Sequence, residues 1–476
     1  MRGWKSMIPR TNGQSLVPAT TLGQMYQTLS PAPLVGRDSL QAFYRSELNE
    51  VRGKDEAKRL KLRLERTDGP YFHAFLVGQP GAGKSTEISR FVEMIEGGYR
   101  VLRLSVVNEL NPATFQPMDV LLLIVFQLAQ AVEKLNLETP NKITLPPSLL
   151  VDLLRFFAVE AVSTQSVDSK ELEGKAEVSL GFPKLWQSFL GLSVAAGGKL
   201  KVGYQQETKL VQYRFQMLST LASLANRFVD ECNALLRQFE DKQWLVVLED
   251  FDRPGLSGEA LRTVLVEQGG LLDQLPLHLL VTVPAWLIYS ADAERLPFRQ
   301  CGHFVLTDTP VFDKSHAPDV AGRDALKAVL FARAERGLFA GRAAELLIVA
   351  SGGNLRELFT MTLEAADRAA LADRQAIGEE DVWQAIRQAR SNYRNKLGSA
   401  KEDADAVPYA ILRVKLLAVY RMEPESDVRD AALNRLLQTR AILHFNGDYW
   451  YGVHPLVVDI LKEQGHLKPD EPGGVS

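Results

Sequence analysis

Near the middle of the chain, Trp244–Gly255 reads WLVVLEDFDRPG. An apolar run, Leu245–Leu248, delivers Glu249, Asp250 and Asp252 in quick succession. Carboxylates crowded at the end of a buried strand repel one another and lose hydration, so a cation is expected beside them. It is supplied upstream, in HAFLVGQPGAGKSTEISRFVEMI. There an apolar strand, Phe75–Val77, enters Gly78, Gln79, Pro80, Gly81, Ala82, Gly83, Lys84 and Ser85, and an amphipathic helix follows from about Thr86. This is the G-x-x-x-x-G-K-[ST] phosphate-binding pattern in the strand, loop and helix context that its chemistry requires. Glycines let successive backbone N–H groups curl around phosphates. Lys84 then reaches the β and γ oxygens, and the Ser85 hydroxyl ligates Mg²⁺.

A phosphate loop works with a second strand whose terminal acid holds the Mg²⁺ shell and whose next residue orients the attacking water. Leu245–Leu248 is expected to be that strand. Glu249 then takes the magnesium position and Asp250 the water-polarising one, while Asp252 supports them from behind or faces a partner. ATP and Mg²⁺ are the expected cofactors, and hydrolysis to ADP and phosphate is the expected reaction.

The elements that must position these groups make a large chain. At 476 residues it exceeds what one core usually supports, so two or three packed domains are expected. Apolar residues at 46% and charged residues at 24% are ordinary globular values. A net charge of -3 gives no whole-chain attraction to nucleic acid or anionic membrane. Cys232 and Cys301 lie far apart in unlike contexts, which suggests neither a disulfide framework nor a zinc site. The start of the chain lacks the apolar core of a secretory signal, and no run of 18 apolar residues occurs, so a cytoplasmic protein without a transmembrane segment is expected.

Several further stretches fall in an order that resembles AAA+ ATPases of the origin-recognition type and the STAND signalling NTPases. PLVGRDSLQAFYRSEL (Pro33–Leu48) looks like their V-G-R box, which implies a nucleotide contact for Arg37. LHLLVTVPAW (Leu277–Trp286) resembles their next strand, with Thr282 at or near the position that senses the γ-phosphate. ERLPFRQCGHFVLTDTPVF (Glu294–Phe312) resembles the segment that carries a basic residue toward a neighbouring subunit, and both Arg295 and Arg299 fall there. VASGGNLRELFTMTLEAADRA (Val349–Ala369) resembles the helical lid, whose G-N-x-R implies that Arg356 acts over the nucleotide as a second sensor. AIGEEDVWQAIRQA matches the closing lid helix. The resemblance covers roughly residues 30 to 390. Many AAA+ members have Asp-Glu where this chain has Glu249-Asp250, and the shorter water-orienting carboxylate implies slow hydrolysis.

Between the nucleotide strands, residues 138–204 read as an insertion. Lys175–Tyr204 alternates apolar and polar residues, the period of a β-hairpin, between helical arms near Ser148–Glu160 and Gln212–Glu240. Trp186, Phe189 and Leu190 there form either an exposed tip or a small satellite core. After NKLGSAKEDADA, helices near Val407–Tyr420 and Val428–Leu437 lead into AILHFNGDYWYGVHPLVVDIL, where Asn446-Gly447 signals a hairpin. This order resembles a winged helix. Residues 403–476 hold eight Lys and Arg against eleven Asp and Glu, which lacks the basic footprint of a DNA reader and favours protein docking or autoinhibition. Trp450 and His454 are expected to be packing and turn residues.

The expected fold class is α/β: a three-layer P-loop NTPase core with a helical lid and a C-terminal winged helix. The expected domains are an N-terminal extension (1–30), a core (31–137 and 205–312), the insertion (138–204), the lid (313–395) and the winged helix (403–476). The expected function is a slow, Mg²⁺-dependent ATPase that assembles into a ring or partial ring and switches a separate effector or client, and the resemblance extends to ATPases of bacterial antiviral defence. Two other functions fit the same motifs: a DNA-associated loader or transposition regulator, and a nucleotide-locked adaptor with little hydrolysis.

Overall fold

The apolar runs form strands because each is short, rich in Val, Leu and Phe, and bounded by polar or glycine-rich turns. The structure, a computed structural model, describes residues 16–67, 69–113, 115–138, 149, 210–253, 255–298, 302–398, 406–445 and 450–475. β1 (His73–Gly78), β2 (Tyr99–Ser105), β3 (Gln243–Glu249), β4 (His278–Val283) and β5 (His303–Leu306) make one sheet in the order β2-β3-β4-β1-β5. Every neighbouring pair in it is parallel.

The two-residue period divides each strand between two faces. Phe75 and Val77 of β1 join Val246 and Leu248 of β3 in a core shared with the long helices Pro117–Glu138 and Leu210–Glu240. Leu76, Leu245, Val247 and Leu280 point the other way, onto Glu56–Glu65 and the phosphate-loop helix Lys84–Ile95. Helices thus cover both faces, which is why β1 and β4 are buried along their whole length. The result is the expected three-layer α/β core. β1 and β3 flank β4, so the phosphate loop after Gly78 and the acids after Leu248 open into the same crevice at the carboxyl edge of the sheet.

The lid comprises Val320–Phe331, Ala343–Ala350, Leu355–Leu371 and Glu379–Leu397. The described part of the N-terminal extension packs on it: Ala19 exchanges 2.9 Å backbone hydrogen bonds with Arg333 and Glu335, and Met25 and Leu29 are fully buried. Beyond the lid come helices Tyr409–Tyr420 and Ala431–Thr439, an antiparallel pair β6 (Ile442–Phe445) and β7 (Trp450–Val453), and helix Pro455–Glu463. The expected hairpin insertion with Trp186, Phe189 and Leu190, its first helical arm, Arg299 and the Asn446-Gly447 turn lie outside the described residues. No helix among the described residues is long and apolar enough to cross a membrane.

One turn fixes lid to loop. Gly353 has φ +84°, and a Cβ there would stand 1.7 Å from the Thr309 carbonyl oxygen, so only glycine permits this approach. It lets the fully buried Asn354 donate from Nδ2 to the Pro80 carbonyl (3.1 Å) and to Asp308 Oδ1 (3.2 Å). The Asn354 Oδ1 meanwhile caps the lid helix, accepting from the N–H groups of Arg356 (3.1 Å) and Glu357 (3.3 Å). Asn354→Ala removes a cap and two further bonds, and should lower unfolding free energy by about 2 kcal/mol in urea denaturation. An unchanged midpoint would show that the turn is held by other contacts.

Candidate functional site

The phosphate loop is built around two glycines with positive φ, Gly81 (+87°) and Gly83 (+107°), and the helix begins at Lys84, so Thr86 lies within its first turn. Gly81 is also needed for space, since a Cβ would fall 2.4 Å from Asn354 Oδ1. Lys84 is 5% exposed, and its Nζ donates to the carbonyls of Gly78 (2.7 Å) and Gln79 (2.9 Å). Its ion pair, at 2.8 Å, is with Asp252 Oδ2. The cation demanded by the acidic strand end is therefore Lys84, and Asp252 receives it.

The other two acids have their own cations. Arg103 of β2 grips Glu249 with Nε at 2.5 Å and Nη2 at 2.9 Å, and Nη2 also donates to the Ser85 carbonyl at 3.3 Å. Asp250 accepts from the Ser105 hydroxyl and, at 2.8 Å, from Arg253 Nε. Its backbone sits at φ +74°, a conformation uncommon outside glycine that Asp tolerates better than most residues. Thr282, 1% exposed, aims its hydroxyl at Asp252 Oδ1 over 3.5 Å, the long limit of a hydrogen bond.

These groups, except the buried Thr282, share a cavity of about 260 Å³ lined by Pro31–Pro33, Gly81, Gly83–Thr86, Arg103, Glu249, Asp250, Asp252, Arg333 and Arg356. Among the described residues the Arg356 guanidinium forms no hydrogen bond or ion pair; burial lowers its pKa, partly offset by the field of Asp252. One hydroxyl and one carboxylate, Ser85 and Glu249, offer the hard oxygen donors that Mg²⁺ takes alongside substrate phosphates and water. Among the described residues no cluster of three or more His, Cys, Asp or Glu is placed to hold a metal.

Three expected site residues stand elsewhere. Arg37 is absent from the cavity lining: its side chain is 69% exposed and pairs with Glu93 (2.7 Å) and Glu96 on the phosphate-loop helix. Gln79 turns its side chain away from the phosphate space, donating from Nε2 to the Ile442 carbonyl (3.0 Å) and accepting at Oε1 from Arg440 Nε (3.2 Å). Arg295, 62% exposed and 3.5 Å from Asp292, lies with Tyr71 and His73 at the amino edge of β1, the opposite end from its own phosphate loop.

Sequence reasoning missed Arg333, whose guanidinium lies over the Phe43 and Phe359 rings and whose pKa burial pushes down to about 10. It missed Arg103 and Arg440 as well, because neither belongs to a local motif. Arg440, at φ +63°, bonds Glu357 Oε1 at 2.9 Å, as does the Tyr393 hydroxyl at 2.9 Å. His454 is buried as expected and caps the last helix, with Nδ1 accepting from the Leu456 N–H at 3.2 Å. Its Nε2 therefore carries the proton that faces Glu357 Oε2 at 3.1 Å.

No family model matches the chain, and no curated protein matches it. Solved structures to which it is similar include the Aeropyrum pernix ORC2 protein in its ADPNP–ADP complexes, at 14% identity and TM-score 0.41 over 89% of this chain and 100% of that one. A Walker-type ATPase of Pyrococcus abyssi gives 12% identity and TM-score 0.40 over 91% and 99% of the two chains. The Thermotoga maritima RuvB Holliday junction branch migration motor gives 12% and 0.33 over 91% and 98%.

Glu357 has a pH signature. Burial alone would raise its pKa, but the Arg440 guanidinium and the His454 ring override this and hold the carboxyl far below the usual range. A depressed folded pKa means stability that is present above the ordinary carboxylate pKa and lost as pH falls through and below it. Glu357→Gln should thus be less stable than wild type near pH 7, the gap closing on acidification in urea titrations. Parallel curves from neutral to acid pH would show that the carboxylate's charge contributes nothing.

Proposed function

We propose that the chain binds ATP with Mg²⁺ and hydrolyses it slowly, as a switch whose nucleotide state is felt by its C-terminal module. The observation that carries this reading is the cavity that gathers Lys84, Ser85, Glu249, Asp250 and Arg356. Pro31, Pro33 and Phe359 give its far side an apolar character suited to a purine face.

On binding, phosphate oxygens replace Asp252 as the partner of Lys84, and the freed Asp252 keeps its approach to Thr282. Ser85 and Glu249 would hold Mg²⁺, which would supply charge neutralisation for the phosphates. Arg356, exposed and without a hydrogen bond or ion pair among the described residues, donates to the γ-phosphate in a charge-assisted bond. Asp250 polarises the attacking water, and its engagement with Ser105 and Arg253 supports slow turnover, because that carboxylate must be drawn from existing partners.

The switch is supported by Gln79. A phosphate-loop side chain that bonds Ile442 and Arg440 makes the C-terminal module, which we take as a winged helix, a neighbour of the nucleotide. A separate effector or client docked on that module would sense the exchange. Arg295 supports ring assembly, since an exposed arginine at the far edge of the sheet is of no use to its own site.

Single-turnover ATP hydrolysis with bound-nucleotide measurement tests the chemistry. Asp250→Asn should keep ATP bound while hydrolysis falls by about 10² or more, whereas Glu249→Gln should weaken Mg²⁺-dependent binding too. Exchanged behaviours would move both roles along the strand by one residue, and full activity in both variants would sink the site. The same assay over a hundredfold range of protein concentration reads assembly: the rate per chain rises if sites are shared and stays flat if they are not.

A further inference from the structure

Next to the nucleotide cavity is a larger one of about 670 Å³, walled by Gln79–Pro80 of the phosphate loop, the two long lid helices and the end of helix Ala431–Thr439 with Arg440. Its charges do not balance. Asp252 is committed to Lys84, and Glu357 is shared by Arg440, His454 and Tyr393. Arg356 and Lys396 also line it, and among the described residues neither bonds a carboxylate; the Lys396 ammonium rests over the Tyr393 ring at 4.8 Å. Both residues are exposed, and partial burial lowers the pKa of each while the fields of Asp252 and Glu357 act to raise it. The volume falls in the range of about 300–1,000 Å³ typical of small-molecule sites, and Trp286 and Tyr393 give the wall apolar faces.

We propose that this cavity binds a small phosphorylated ligand other than the nucleotide being hydrolysed, with its anionic group at Lys396 and Arg356 and its organic part along Trp286 and Tyr393. Phosphate fits better than a lone carboxylate because a charge of about −1.5 to −2 on three acceptor oxygens matches two cations. Arg356, Asp252 and Arg253 line both cavities, so occupancy of one changes the charge met by the other. A ligand there also ties core, lid and C-terminal module together, and must stabilise the docked arrangement in proportion to its affinity for it.

The proposal rests on the smaller cavity being the nucleotide site, and the test separates the two. The full-length chain is saturated with ADP, and inorganic pyrophosphate is titrated in by calorimetry at constant ionic strength. The expected result is one further site per chain, with affinity reduced about tenfold or more by Lys396→Ala and by Lys396→Glu, and blocked by Thr360→Trp, which fills the cavity wall, while ADP affinity stays unchanged. No pyrophosphate binding to the ADP-filled protein, or binding indifferent to the Lys396 and Thr360 changes, would overturn it. If ADP itself failed to bind, the nucleotide reading would fall, and dependence of pyrophosphate binding on Lys396 would still decide for or against the cavity.

Discussion

A buried lysine is the constraint on which the rest depends. Lys84 is 5% exposed, and charge so placed is tolerated only when paired and hydrogen-bonded. Two loop carbonyls and Asp252 meet that need, and they can do so only because β1 and β3 end at the same edge of a parallel sheet with β4 between them. The neighbouring acids repeat the arrangement, Glu249 with Arg103 and Asp250 with Arg253. Three carboxylates on one short segment coexist because three cations meet them, Lys84 and Arg103 from other elements and Arg253 from the turn that carries Asp250. Phosphate can enter by exchange, taking over a partner rather than meeting bare charge.

The same loop is clamped from two other directions. Asn354 ties Pro80 to the lid, and Gln79 ties the loop to the C-terminal module through Ile442 and Arg440. Arg440 then reaches Glu357 on the lid, closing a triangle of loop, lid and module. Such a triangle joins loop, lid and module through discrete hydrogen bonds. Arg440 holds it together from a left-handed backbone position, a strain that persists where surrounding contacts fix it.

What could be read from the sequence follows the range of each interaction. The phosphate loop, its helix and the strand ending in Glu249 are local patterns, and they appear where their residues predict. The faces were not legible, because the strand runs are apolar without a break, and only the structure shows alternate residues of β1 packing on opposite helix layers. Long-range pairing was not legible: Arg103 and Glu249 are 146 residues apart, and Gln79 and Arg440 are 361 apart. Arg37 was misplaced for a related reason. Its motif fixes the turn at Gly36, but the side chain finds Glu93 and Glu96 on the adjacent helix surface instead of the cavity. Arg333, which does line the cavity, belongs to a lid helix end with no signature of its own.

The central claim is that Lys84 exchanges Asp252 for the β and γ phosphates of ATP. Isothermal titration of ATP with Mg²⁺ into wild type and Lys84→Ala measures it most directly. Wild type should bind one ATP per chain at the cavity, and the variant, with no other ammonium on the loop, should lose that binding by at least about 10²-fold while remaining folded. Equal affinity in the two proteins would contradict the account and remove the phosphate loop from the site.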